Sequence, residues 1–538
     1  MIVKINLCDE LFHDAIKNTK ERKAVRSKKI IISIILLITL ALASCQRGAE
    51  GIGGSSESHG AGVPYCATHT DADENDLCDK CGVSVLVAID FYAINDLHGK
   101  LDDADGQPGV DELTTYLKNA KKSDDHTVLL SSGDMWQGSA ASNLTKGIIM
   151  TDWMNELDFA AMTLGNHEFD WGEEYIEDNA EAAEFPMLAI NVYDRDTKER
   201  VDYAEASVMV ERGEVRIGII GAIGDCYSSI SPDKVEDVYF KTGSELTALV
   251  KAESEHLRAA GADLVVYSLH DGSGSSKATV TNISGNAMSS YYDIALSDGY
   301  VDLVFEGHSH QRYVVHDRYG VYHLQGGGEN KGISHAEIAV NYVNDTFSVS
   351  SAEFVSTSRY MGLEDDPIVD ALLEKYADEI SVANRVVGNN PSYMSSDALC
   401  DLAARLYFEA GVERWGEEYG IALGGGFFQA RSPYDLPAGE VTYGDLQSIF
   451  PFDNQIVLCS VQGKYLASKF FYTSNSSYHI FYGDYGETVK GSIDQNATYY
   501  IIVDSYTSSY APNHLTEIAR YDEGIYARDL LAEHFGEQ

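Results

Sequence analysis

From Val85 onward short apolar runs recur along the chain, and each stops at a polar cluster: "VSVLVAIDFYAINDLHG", "HTVLLSSGDMWQGS", "FAAMTLGNHEFDWG", "ADLVVYSLHDG" and "VDLVFEGHSH". Runs this continuous predict strands covered on both faces, where alternation with polar residues is lost. Between them, "GVDELTTYLKNAKK", "GIIMTDWMNEL" and "LTALVKAESEHLRAAG" repeat apolar residues at helical spacing. Strands alternating with helices predict a layered α/β domain. In such sheets functional loops lie beyond the carboxyl ends of the strands, and all five polar clusters occupy that position.

The pattern changes behind Tyr360. "DDPIVDALLEKYADEI" reads as an amphipathic helix that joins two domains, and a second long helix is predicted through "SSDALCDLAARLYFEAG". Beyond it come "GIALGGGFFQARSPYDLPAGEVTYGDLQSIFPFDNQIVLCSVQG" and "YYIIVDSYTSSYAPN". A chain of 538 residues with 44% hydrophobic content is long enough for more than one core.

The polar clusters carry a shared chemistry. Asp96 and His98 stand two apart, as do His308 and His310, a spacing that points both side chains to one side of an extended segment. Asp134 follows the second run, Asn166 and His167 the third, and His270 the fourth. Any one of these residues alone reads as a turn former or cap. Carboxylates, imidazoles and an amide oxygen at five equivalent strand ends read as ligands for a pair of divalent transition metals. Charge points the same way. Lys plus Arg number 39 against 84 Asp plus Glu, a net −45, which argues against a nucleic acid polymer or an anionic membrane surface as partner. An anionic substrate would need local cations to overcome that field, and a metal site supplies them.

Upstream, basic "KERKAVRSKK" precedes apolar "IIISIILLITLALA" and then "LASC". This is the layout of an export signal, and the apolar run is short for a membrane span. Leu-Ala-Ser-Cys resembles a bacterial lipobox with Cys45 as the lipidated first residue; an uncleaved anchor is the alternative. The stretch before Lys20 lacks export character, which points to a translation start nearer Val25. A Gly/Ser-rich tether follows. Then "CATHTDADENDLCDKCG" places Cys66, His69, Cys78 and Cys81 as C-x2-H and C-x2-C, a spacing that suits a structural zinc. A disulfide is the alternative in an exported chain. Asp71, Asp73 and Asp76 also resemble part of a calcium loop, without the full EF-hand pattern.

In content and order, "DLHG", "GDMWQGS", "GNHEFDWG", "SLHDG" and "GHSH" resemble the motifs of the calcineurin-like metallophosphoesterases, specifically the bacterial 5′-nucleotidase group, here in a lipoprotein form. The resemblance runs from about Val85 to the C-terminus. It implies a four-layer α/β/β/α metallophosphoesterase domain over 85–355, a linker helix over 356–390 and a smaller α+β nucleotide-binding domain over 391–538. A signal peptide with lipobox (1–45) and a flexible tether with the Cys/His segment (46–84) precede them.

Carried over by motif, Asp96, His98, Asp134 and His310 hold one metal; Asp134, Asn166, His270 and His308 hold the other, with Asp134 bridging. Manganese, zinc or a similar ion is implied. His167 and Asp170 resemble the family's catalytic pair. In the second domain, Arg431 would contact the substrate, Phe452 and Tyr506 would sandwich a base, and Asn454 would accompany Phe452. Leu423 departs from the Asn that the family has before its triple glycine, "FFQAR" delays the arginine, and a second family arginine has no assigned counterpart.

The implied protein is an exported, lipid-anchored 5′-nucleotidase that releases phosphate from extracellular nucleotides at the outer face of a bacterial cell membrane. Alternatives are a 2′,3′-cyclic-nucleotide phosphodiesterase, a nucleotide-sugar hydrolase, or an inactive surface nucleotide-binding protein. The inactive reading expects eroded ligands or a broken His–Asp pair, and none of these residues is missing.

Overall fold

The apolar runs form strands where burial demands them. In chain order these are β1 (Leu86–Ile94), β2 (Thr127–Ser131), β3 (Ala161–Thr163), β4 (Met187–Leu188), β5 (Val192–Asp194), β6 (Ser207–Arg212) and β7 (Val215–Ile223). After them come β8 (Val238–Phe240), β9 (Leu264–His270), β10 (Leu303–Glu306), β11 (Arg312–His316), β12 (Tyr322–Gly326), β13 (Gly332–Asn341) and β14 (Thr346–Ser356). This computed structural model describes residues 68–101, 109–272, 299–317, 319–428, 430–431, 435–472, 476–521 and 524–536. The export signal, Cys45 and Cys66 lie outside the described residues.

One six-stranded sheet has the order β14-β13-β1-β2-β3-β4, and a second has the order β11-β12-β10-β9-β7-β6. β1 to β4 run parallel, as do β7, β9, β10 and β12, so their carboxyl ends gather on one side of each sheet. Every residue of β2 and β9 is buried, which is why both read as unbroken apolar runs.

The two-residue period of a strand sorts side chains between layers. Ile89, Phe91 and Ala93 of β1 meet Ile217, Ile219, Val266 and Phe305 between the sheets. Tyr92 and Ile94 share a core with the helices Asp111–Ser123 and Ile148–Glu156. Behind the second sheet, Tyr267, Leu269 and Val304 pack on Leu246, Val250 and Leu257 of the helix Gly243–Ala259. The layers run helix, sheet, sheet, helix.

The single linker helix expected from the sequence is two. Asp366 accepts a hydrogen bond from the Ile368 N–H and Pro367 opens the helix Pro367–Lys375, an N-terminal cap with proline pre-set for the first turn. The chain leaves helical geometry at Tyr376, and Ala377–Ile380 forms a separate turn. Val369 and Leu372 bury in the first domain's core and Lys118 pairs with Asp366 at 2.8 Å, so the linker is docked.

The second domain comprises β15 (Val386–Asn390), β16 (Ile421–Phe427), β17 (Gly439–Thr442), β18 (Ile456–Gln462), β19 (Tyr478–Phe481), β20 (Thr498–Asp504) and β21 (Leu515–Arg520). β15 pairs with β17, so the last residues expected in the linker belong structurally to this domain. The others form a five-stranded sheet, β19-β16-β20-β18-β21. One face, with Ile421, Leu458 and Ile502, packs on the helices Ser396–Trp415 and Ala527–Gly536. Leu423 lies on the other face among Val457, Val503 and Phe470, which makes this departure from the family pattern a core residue.

The Cys/His segment expected within 46–84 is folded from residue 68, and the Gly/Ser-rich tether before it lies outside the described residues. Leu77 bridges to Ser84, and Asp71 accepts hydrogen bonds from the Asn75 and Asp76 N–H groups and from Asn341 Nδ2 at 2.8 Å. The acidic string thus closes a turn and ties it to the end of β13.

Candidate metal centre and substrate cleft

Each candidate ligand sits where a strand ends. Asp96 follows β1, Asp134 follows β2, Asn166 follows β3, His270 is the last residue of β9, and His308 follows β10. The D-x-H and H-x-H segments are not extended as their spacing suggested. Asp96, His98, Asp134, His308 and His310 all have positive φ, between 51° and 65°. Of the thirteen described non-glycine residues with positive φ, five are therefore candidate ligands. Asp and His tolerate this region better than most residues, yet it still costs of order 1–3 kcal/mol each and clusters where function requires it. The chain must fold back sharply at the strand ends, and left-handed residues do so while turning side chains inward. Gly133 serves the same end: its φ is +91°, and a Cβ there would lie 2.5 Å from His270 Nδ1.

The side chains converge. His98 Nε2 and His310 Nε2 are 3.1 Å apart, and His310 Nε2 is 3.3 Å from Asp96 Oδ1. His270 Nε2 lies 3.1 Å from Asp134 Oδ2 and 3.2 Å from Asn166 Oδ1, which is 2.9 Å from His308 Nδ1. Two histidines are fixed in one tautomer by carbonyls, which only accept. His98 donates Nδ1–H to Gln137 O at 2.8 Å, and His270 donates Nδ1–H to Ser132 O at 2.6 Å. Both Nε2 atoms are thereby directed at the cluster, the arrangement that orients imidazole ligands in metal sites. Nitrogen and oxygen donors this close, on buried acceptor-rich side chains, fit divalent transition ions.

Electrostatics agree with that fit. Burial and then His310 push the His98 pKa down to about 3, so the imidazole is neutral, as a ligand must be. Burial would raise the Asp134 carboxyl, but His270 and His167 hold it well below the usual range. Burial would lower the His270 pKa, but Asp134 and Asp96 hold it up at about 10, as in a site whose carboxylates favour positive charge.

The loop after β3, which carries Asn166, holds a second device. His167 opens the 3-10 turn His167–Phe169, and its Nδ1 lies 2.7 Å from Asp170 Oδ2. Burial alone would lower the His167 pKa, but Asp170 and Asp134 raise it, which favours an imidazolium. Between them Glu168 is fully buried and accepts hydrogen bonds from the backbone N–H groups of Asp134, Met135 and Gly165. It clamps the second and third loops together.

Across from this centre stands the second domain. A cavity of about 430 Å³ is lined by Asp134, Asn166, His167 and Asp170 on one side and by Phe427, Arg431, Phe452, Asn454 and Tyr506 on the other. Arg431 Nη2 is 3.3 Å from His167 Nε2, and the Phe452 ring centroid is 5.4 Å from the guanidinium and 5.9 Å from the His167 ring. Tyr506 packs against Phe427 at 5.5 Å. The structure thus brings all four predicted substrate residues to one cavity and adds Phe427.

Comparison with known proteins points one way. Residues 89–312 match the family model for calcineurin-like phosphoesterases. An apyrase of Tabanus yao is 28% identical over 426 residues, covering 70% of this chain and 72% of that protein. Protein UshA of Yersinia enterocolitica is 25% identical over 427 residues, covering 69% and 74%. A putative 5′-nucleotidase from Staphylococcus aureus superposes with a TM-score of 0.65 at 17% identity, over 84% of this chain and 97% of that one. Residues 89–312 are thus a calcineurin-like phosphoesterase domain, and over most of its length the chain resembles proteins of the 5′-nucleotidase family. It is a metal-dependent phosphoester hydrolase.

Several working parts of this phosphoesterase have no plain signal in its sequence. Glu168 sits inside the "GNHEFD" motif but reads as a surface acid, and Phe427 is hidden in "FFQAR". Asp453, within "PFDN", is held by Arg528 and by Lys146 at 3.0 Å, while Arg528 also donates to the Phe452 carbonyl at 3.0 Å. Arg528 is therefore a brace behind the Phe452 loop and not the missing second substrate arginine.

Proposed function

We propose that this phosphoesterase is an exported 5′-nucleotidase acting on nucleotides outside the cell. The observation that carries the reading is the facing of the Asp/His centre and the His167–Asp170 pair by Arg431, Phe452 and Tyr506 across one cavity. Asp96, His98, Asp134 and His310 would hold one divalent ion, and Asp134, Asn166, His270 and His308 a second, with manganese or zinc suited to these donors. Bound there, the pair supplies Lewis-acid charge and activates water at neutral pH.

The chain's own groups position and protonate. With Nδ1–H given to Asp170, a charged His167 carries its second proton on Nε2, beside Arg431. Two cationic donors side by side repel each other unless an anion sits between them, so a phosphate oxygen suits that position. His167 then donates to the charge developing there and passes its proton to the leaving nucleoside oxygen. Arg431 offers directed, paired donors to the phosphate. Phe452 and Tyr506 present aromatic faces to the base, and stacking of this kind tolerates many bases.

The basic segment, apolar run and "LASC" support export and a lipid anchor at Cys45. Among the described residues no helix is long and apolar enough to cross a membrane. The deciding experiment is a phosphate-release panel of 5′-nucleotides, 2′,3′-cyclic nucleotides, nucleotide sugars and an aryl phosphate, with manganese and with zinc. 5′-Nucleotides are expected to be hydrolysed fastest; faster turnover of a cyclic nucleotide or a nucleotide sugar would replace this assignment.

A further inference from the structure

The Cys/His segment has no part in the cleft, yet it is built. Leu86, at the start of β1, pairs with Asn341, so the segment docks at the amino end of the strand whose carboxyl end leads to Asp96. At roughly 3.3 Å per residue that is about 30 Å from the metal centre.

Three side chains meet there. Donor atoms of His69, Cys78 and Cys81 all lie within 4.8 Å of one another, and Cys81 Sγ is 3.6 Å from His69 Nδ1. Cys78 is buried and Cys81 half-buried. The turn that joins them is closed by backbone hydrogen bonds. Gly82 donates to Cys78 O at 2.7 Å with φ +72°, and Cys78 donates to Val83 O at 2.8 Å. The turn is fastened from outside by Asp71 to Asn341 and by Asn344 Nδ2 to the Asp71 carbonyl at 2.9 Å.

We infer that His69, Cys78 and Cys81 form a structural site for one zinc-class ion, separate from the catalytic centre, that fastens this segment to the end of β13. Two thiolates and an imidazole select a thiophilic ion over magnesium, calcium or manganese. Cys66 has the sequence spacing of a fourth ligand but lies outside the described residues. Because the ligands come from a short segment with little core of its own, binding energy here is folding energy for the segment.

Cobalt(II) loaded into the reduced full-length protein tests this. A near-ultraviolet thiolate-to-cobalt charge-transfer band is expected, and it is lost in the Cys78→Ser/Cys81→Ser variant while phosphoester hydrolysis stays within about twofold. Asp134→Ala should keep the band although it loses activity, so failure of this site and failure of the proposed function read out separately. Should the double variant fold poorly, His69→Asn with both thiols intact should still bind cobalt more weakly. A band that persists in the double variant would place the thiolate elsewhere, with Cys226 beside His270 as the candidate, and would overturn the assignment. So would absence of the band in wild type, or a disulfide to Cys78 in protein isolated from cells.

Discussion

His167 Nδ1 and Asp170 Oδ2 are 2.7 Å apart across a single 3-10 turn, and the backbone N–H of His167 donates to Asp134 Oδ1 at 2.8 Å. The proton-carrying pair and the candidate bridging ligand thus sit on two neighbouring loops joined by this hydrogen bond, and their roles can be separated by experiment.

Asp134→Ala should abolish metal binding and activity together, because Asp134 lies at the junction of both ligand groups. His167→Ala should keep its metals and lose about 10²–10⁴-fold in kcat, the range for a positioned acid–base group. Metal analysis of the purified variants checks the separation, and a His167→Ala protein depleted of metal would contradict it.

The aromatic residues should govern nucleotides and not small esters. Phe452→Ala or Tyr506→Ala should cost about 1–3 kcal/mol in nucleotide kcat/KM, roughly tenfold to a hundredfold, and leave an aryl phosphate nearly unaffected. Because Phe427 backs Tyr506, Phe427→Ala should resemble Tyr506→Ala. Equal losses for both substrates would make these rings packing residues.

Breaking the brace behind Phe452 should cost stability. Arg528 is 6% exposed and Asp453 17% exposed, so removal of the arginine leaves a mostly buried carboxylate with only Lys146. Arg528→Ala should destabilise the second domain by about 3 kcal/mol, the low end for a broken buried pair. Thermal unfolding measures this, and nucleotide KM should rise with it while the metal content is unchanged.

Alkaline pH should weaken the first domain through His323, buried between Glu306 and Asp317. Burial opposes its charge, but Asp317 and Glu306 raise its pKa from 6.5 to about 9. A raised histidine contributes its full stability below about pH 6.5 and loses it as pH rises towards 9. Melting temperature should therefore fall across that window, and His323→Gln, though less stable overall, should show a flatter profile there.

By itself the sequence determined the layered α/β class and the chemistry of the centre. Parallel strands buried on both faces appear as unbroken apolar runs, and the residues that end them, Asp96, Asp134, Asn166, His270 and His308, are donors of one kind. Both properties are local, so both are legible along the chain. Tertiary structure alone decided how those donors are used. The left-handed backbone at five ligands, the Gln137 and Ser132 carbonyls that set two tautomers, and the Glu168 clamp exist only once loops from different strands meet. Arg431 approaches His167 across 264 positions of sequence, and Arg528 reaches Asp453 from the last helix. The break at Tyr376 and the docking of residues 68–84 follow the same rule: local propensity allows a longer helix and leaves the position of a short segment open, and tertiary contacts decide both.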